Sequence, residues 1–221
     1  MEERVQAELC ELSDEEKLDE LEFAVTRQSL HREICYKTLA FCQTRHMLRE
    51  VETYIMGLPQ YAQAVQSPYH LTALLAKHYG LERILLDEEG NVVTPADLEG
   101  LSEDEADDLV ADEAYETTEV GRRFVALHDP LSRMRELLEE EPLRAATYRE
   151  LLAYCSSQKR TYNDLSNLLE GRDVLFVTQD GSKQRIQPSV LVDRLNRVGA
   201  LVWQAGWETT DEGRRFLAEV Q

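Results

Sequence analysis

A repeated block most constrains what this chain can fold into. Glu116-Thr117-Thr118-Glu119-Val120-Gly121-Arg122-Arg123-Phe124-Val125-Ala126 returns as Glu208-Thr209-Thr210-Asp211-Glu212-Gly213-Arg214-Arg215-Phe216-Leu217-Ala218, with eight of eleven positions identical. Other pieces follow in the same order. Arg49-Glu50-Val51-Glu52-Thr53-Tyr54 parallels Arg149-Glu150-Leu151-Leu152-Ala153-Tyr154, and Leu71-x-x-Leu74-Leu75 parallels Leu165-x-x-Leu168-Leu169. Glu89-Gly90 after Ile84-Leu85-Leu86 matches Asp180-Gly181 after Leu175-Phe176-Val177, and Tyr115 matches Trp207. Colinear pieces at similar spacing predict two copies of one module, at 45–127 and 128–221, behind an N-terminal segment, 1–44.

Each copy reads as helix, helix, short hairpin, helix, hairpin, helix. In the second copy the apolar spacing predicts a helix over 143–156. Thr161 caps the next helix, which ends near Gly171. Residues 174–177 form a β-rich run before the Asp180-Gly181 turn. Pro188 fits the first turn of a third helix and Gly199 its end. A hairpin turning at Ala205-Gly206 would pair Gln204 with Trp207 and Trp203 with Glu208, placing the two indoles on opposite faces. Ala is a poor first residue for a tight primed turn, so a wider loop is an alternative. Thr210 caps the last helix. In the first copy Thr94-Pro95-Ala96-Asp97 and the capping box Ser102-Glu103-Asp104-Glu105 predict a broken third helix carrying much acid.

The segment before the first copy predicts a helical arm. Ser13-Asp14-Glu15-Glu16 is a capping box, and Leu18, Leu21 and Val25 form a seam. Ile34, Phe41, Leu48 and Ile55 then repeat every seven residues. A helix of some 40 residues is roughly 60 Å long, too long to bury on one small module. It either packs along both modules or pairs with a second copy as a homodimer, or it is kinked into two helices.

The charge is unevenly spread. The 221 residues carry 43 Asp plus Glu against 24 Lys plus Arg, a net −19. From 147 to 221 ten basic residues face ten acidic ones, so the excess lies earlier. Between 81 and 119 there are 15 acidic residues and one basic one, Arg83. Such a segment repels nucleic acid and anionic lipid. It is either a solvated face, a docking surface for a basic protein partner, or a mimic of DNA charge. No apolar run approaches the roughly 18 residues of a membrane span, the first residues lack a signal core, and four cysteines are too sparse for a disulfide scaffold. The expectation is a cytoplasmic protein with no membrane association.

Helices followed by a two-stranded hairpin, with Thr-Thr-x-x-Gly-Arg-Arg-Phe at its exit, resemble the winged helix-turn-helix superfamily, where an aromatic-x-x-Thr-x-x-Gly-Arg ending is common at the last strand of the wing. The resemblance covers most of 45–221 as two copies. It implies a DNA-binding regulator or a protein-docking module, since winged helices serve both. The hairpins at 84–93 and 174–186 depart from the pattern, because a helix-turn-helix has only a short turn between its second and third helices. The expected fold is mostly α with small β-hairpins: tandem winged-helix-like modules with a long N-terminal helical arm.

The candidate DNA face lies on the second copy. Arg194 and Arg197 share a face of its third helix, with Lys183 and Arg185 just before it and Lys159 and Arg160 at the start of the second helix. These six could hold double-stranded DNA through its phosphates, with Arg194 or Arg197 reaching a base edge. The alternative is a mixed solvated surface with internal ion pairs. Arg122-Arg123 and Arg214-Arg215 occupy the first turn of a helix, where the macrodipole disfavours cations, so acids such as Glu116 and Glu208 must compensate them.

His31, Cys35, Cys42 and His46 fall on one helical stripe and invite a metal test. His31 and His46 are about 22 Å apart along a straight helix, so one ion cannot take all four. We expect no metal and no cofactor. There is no Gly-rich phosphate loop, Gly-x-Ser-x-Gly, His-Glu-x-x-His or Cys-x-x-Cys, so no enzyme is expected. The expected function is a DNA-binding transcriptional regulator acting through the second module. The alternative is an acidic adaptor that docks a basic protein and binds no DNA.

Overall fold

In the computed structural model, which describes residues 12–27, 29–179 and 182–219, the chain is mostly helical with small antiparallel strand pairs. It opens with α1 (Asp14–Thr26) and α2 (Ser29–Phe41). Ser13 starts α1 as a capping box: its hydroxyl accepts from the Glu16 N–H while the Glu16 carboxylate accepts from the Ser13 N–H. Of the arrangements open in the sequence the kinked one comes closest, but the pattern breaks a second time: the strand His46–Met47 separates α1 and α2 from a third helix, Leu48–Gly57. Helices α1 and α2 pack against each other, and Leu18, Leu21, Val25, Ile34 and Leu39 join Val51, Ile55, Leu71 and Phe124 in one core. The expected long arm is therefore corrected. A straight helix of that length would leave much of its seam in water, and folding back removes it. That seam is used up inside the first core and offers no free stripe to a second copy.

The first half continues with β1 (His46–Met47), α3 (Leu48–Gly57), a 3-10 turn (Pro59–Gln63), α4 (Pro68–Lys77), β2 (Leu81–Leu86), β3 (Val92–Val93), α5 (Pro95–Leu98), α6 (Glu103–Leu109), β4 (Asp112–Thr117) and α7 (Glu119–Leu127). Its antiparallel sheet runs β1-β4-β2-β3. The second half holds α8 (Pro130–Glu140), α9 (Ala145–Ser157), α10 (Tyr162–Leu169), a 3-10 turn (Asp173–Leu175), β5 (Phe176–Gln179), β6 (Ser182–Arg185), α11 (Pro188–Arg197), β7 (Leu201–Trp203), β8 (Trp207–Thr209) and α12 (Asp211–Glu219). Met134, Tyr148, Leu151, Leu152, Leu165, Leu191 and Phe216 centre its separate core. Thr161 caps α10 through a box with Asp164, and Pro188 opens α11, both as the sequence predicts. The expected Asp180-Gly181 turn lies outside the described residues.

Repeated hydrogen bonds relate the halves. Thr117 Oγ1 donates to the Leu39 carbonyl at 2.7 Å, and Thr209 Oγ1 donates to the Leu152 carbonyl at 2.6 Å. Thr118 accepts from the Gly121 N–H and donates to the Tyr79 carbonyl; Thr210 accepts from the Gly213 N–H and donates to the Gly199 carbonyl. His46 pairs with Tyr115 as Arg160 pairs with Trp207. Phe124 and Phe216 are both fully buried. Helix α2 thus corresponds to α9, α3 to α10, α4 to α11, β2 to β7, β4 to β8, and α7 to α12.

This correspondence corrects the pairing drawn from sequence, which matched α3 with α9 and α4 with α10. Amphipathic helices share Leu spacing with any other amphipathic helix, so short matches slide by one helix. The two extra hairpins are consequently not equivalent. β5–β6 separates the second and third helices of the second half alone. In the first half the third helix is α4, and α5 and α6 belong to an insertion, residues 87–111, between β2 and β4. The second half has only Gln204-Ala205-Gly206 there.

That three-residue loop also corrects the tryptophans. Trp203 pairs directly with Trp207, and their rings meet edge-on with centroids 5.5 Å apart. Directly opposed residues share a face, so the indoles lie side by side, each half-buried. Ala205 takes the left-handed conformation, φ 54°, to close the loop.

Candidate interaction surfaces

The six residues expected to meet phosphate sit on three elements, and most are already engaged. Arg194, on α11, forms an ion pair with Glu141, whose carboxylate also accepts from Tyr148 Oη and Arg144 Nη1. Arg197 pairs with Asp193 one turn earlier at 2.8 Å. Lys159 donates to the Gln204 carbonyl at 2.9 Å and lies 3.4 Å from Glu208. Arg160 stacks 3.6 Å over the Tyr154 ring, donates to the Tyr154 carbonyl, and exchanges two backbone bonds with Trp207. Arg185 is exposed and pairs across the hairpin with Phe176. Lys183 pairs with Thr178 in the same hairpin; its side chain lies outside the described residues. A phosphate would have to displace carboxylates to reach Lys159, Arg194 and Arg197.

The arginines of the repeated block also have partners. Arg122 meets Glu116, Arg123 meets Glu15 of α1, Arg214 reaches the Ser156 carbonyl, and Arg215 lies 3.7 Å from Glu212. Glu208, expected to serve this pair, faces Lys159 instead. Where the two halves meet, Glu33 and Arg133 are bonded at 2.6 Å and Lys37 meets Glu212 at 2.6 Å. Burial alone would push the Glu212 carboxyl up, but the hydrogen bond and charge of Lys37 outweigh it and hold the carboxyl below its ordinary value. The sequence reading passed over both pairs, because nothing in the spacing of Glu33 or Lys37 marks a partner some 100 or more residues away.

The four residues of the metal test are packing residues. His31 is buried and accepts from the Val65 N–H at 3.3 Å. Cys35 and Cys42 are fully buried, and burial pushes both thiols up to about 12. His46 stacks on Phe41, which stacks on Tyr54. Among the described residues no group of three or more His, Cys, Asp or Glu is placed to hold a metal.

The 87–111 insertion carries ten acidic residues and no basic one. Asp87, Asp97 and Glu105 bond to Asn91, Thr94 and Ser102, closing a turn and two helix starts. Glu88, Glu89, Glu99, Asp104, Asp107 and Asp108 are exposed and face no cation among the described residues. Arg83, the single basic residue nearby, is held by Glu113.

No protein-family model, curated protein or solved structure matches this chain. No described helix is long and apolar enough to cross a membrane.

Proposed function

We propose that this chain is a non-enzymatic adaptor, two winged-helix-like modules in tandem, that docks a basic protein partner through the acidic insertion of the first. The winged-helix reading is supported by the order common to both halves: helix, short strand or bridge, helix, helix, strand, loop, strand, with a closing helix. On that reading the 87–111 insertion is an enlarged wing. One observation carries the function: six exposed carboxylates on this wing face no cation among the described residues, while three of the six cations expected to meet DNA have carboxylates. A concentrated field of one sign attracts a partner of the other sign and repels DNA. Cys35, Cys42 and Cys155 are free and buried, which suits a reducing cytoplasm.

The second reading, a DNA-binding transcriptional regulator acting through the second module, is favoured by Arg185, exposed on a hairpin just before α11. Fluorescence anisotropy of the full chain against a labelled lysine-rich peptide and a labelled random DNA duplex, across a salt series, separates the two. We expect peptide binding that weakens with salt and is lost when Glu88, Glu89, Glu99, Asp104, Asp107 and Asp108 become amides. Binding to the duplex at low salt, with no preference for the peptide, would establish the regulator instead.

A further inference from the structure

We infer that the second half carries a separate docking groove for a basic partner segment with a bulky apolar anchor. The groove has a volume of about 640 Å³ and lies between the connector from α8 to α9 and the 3-10 turn that leads into β5. Pro142, Leu143, Val174, Phe176 and Val177 supply apolar walls. Leu143 stands at 91% exposure. A single exposed leucine is ordinary on a protein surface. This one adjoins a concave apolar surface, where an inserted side chain is desolvated on several sides at once.

Both walls include additions that the first half lacks. The passage from α1 to α2 spans only residues 27–28, against 141–144 between α8 and α9. The β5–β6 hairpin is added after a 3-10 turn that both halves have between these helices. Neither addition is needed to complete the common core, since the first half closes its own without them.

Charge at the rim selects the occupant. Helix α8 ends in Glu139 and Glu140, followed by Glu141, and has no basic residue in its last turn. The carboxylates therefore add to the negative end of the helix dipole, where a cation is favourable. Glu141 is met by Arg144 and Arg194, but Glu139 and Glu140 are exposed without a cation among the described residues. A second copy of this chain, at −19, would bring acid against acid. A segment with lysine or arginine flanking a leucine, valine or aromatic anchor satisfies both the walls and the rim.

This inference does not rest on the acidic wing, and one titration keeps the two apart. The probe is a short labelled peptide in which leucine and valine alternate with lysine and arginine; its control replaces the basic residues with glutamate. The full chain should bind the probe and not the control. Leu143→Ser, at a position too exposed to affect folding, should weaken binding about tenfold, the scale of one lost apolar anchor, and Val177→Thr should weaken it as well. The six-carboxylate wing variant should keep its hold on the probe. Unchanged binding by both groove variants overturns the groove, as does binding that follows the wing charges alone, which leaves the adaptor reading standing. Equal affinity for the acidic control overturns the basic occupant. Self-association that Leu143→Ser abolishes would assign the groove to a second copy.

Discussion

Glu33 of α2 and Arg133 of α8 meet 2.6 Å apart where the two halves of the chain join, their side chains 10% and 7% exposed. The guanidinium also donates to the His128 carbonyl from Nε and to the Arg197 carbonyl from Nη1, at 3.0 and 3.1 Å. One arginine thus ties α2, the end of the first half and the end of α11 together. Losing one partner leaves the other charge buried and uncompensated, which typically costs about 3–5 kcal/mol. Glu33→Ala should lower the urea midpoint accordingly. The double change Glu33→Leu with Arg133→Met should recover most of that loss, since an apolar pair removes both desolvation penalties. If the double variant is as unstable as the two single losses added together, the pair is not acting as a unit.

Gly121 and Gly213 are where each closing helix meets the backbone just before β2 and just before β7. A Cβ at Gly213 would lie 2.6 Å from the Ala200 carbonyl oxygen, and one at Gly121 would collide with the Gly80 carbonyl oxygen. The obstacle in both cases is backbone, which cannot rotate away. Gly121→Ala and Gly213→Ala should each destabilise by about 1–3 kcal/mol, the range for overpacking. Because the two sites lie in separate cores, their effects should add. Chemical denaturation of the two single variants and the double would check this, and a neutral alanine at either site would break the equivalence of the halves.

Stability should fall in two stages as pH drops. Burial holds His31 and His128 below the ordinary histidine value of 6.5, with Arg32 and Arg133 adding to the effect at His128. Such histidines take up a proton more readily unfolded, so the stability they carry is present above 6.5 and is lost as pH falls from there through their folded values. Glu212, Glu113 and Glu150 lie below the ordinary 4.5, so their contribution is present above 4.5 and fades below it. The double variant His31→Gln, His128→Gln should flatten the first stage in thermal melts across pH, and Lys37→Met should shrink the second. A first stage that survives loss of both histidines would refute the assignment.

Trp203 and Trp207, edge-on at 5.5 Å, should couple as chromophores. The far-ultraviolet circular dichroism should show a tryptophan couplet, and Trp203→Phe and Trp207→Phe should each remove the same feature. If one replacement leaves the couplet intact, the register across the Gln204-Ala205-Gly206 loop is different.

Local chemistry was legible along the chain. Ser13 and Ser102 start helices as their capping boxes predict, and Thr94 and Thr161 start helices as expected, because a cap needs only residues three positions apart. The Thr-Thr-x-x-Gly-Arg-Arg-Phe block was recognised as a repeat, and its two phenylalanines are buried. Its meaning came from contacts over longer distances. The first Thr bonds to a helix carbonyl 78 residues earlier in one half and 57 in the other. The second caps a helix while its hydroxyl reaches the turn that enters β2 or β7, and the Gly lets that helix sit against a carbonyl of the same turn.

By itself, the sequence determined that the chain is duplicated, mostly helical, capped at stated positions and charged unevenly. Each of these depends on composition or on residues a few positions apart. The tertiary structure alone decided which helix of one half answers to which of the other. It also placed the acidic block in an insertion between two strands rather than on a third helix, folded the arm into the first core, and gave Lys159 and Arg194 to carboxylates. The physical reason is the same in each case. Amphipathic helices are interchangeable until packed, a loop one residue longer turns the paired side chains to another face, and an ion pair is made by chain segments that the fold, not the sequence, brings within 4 Å.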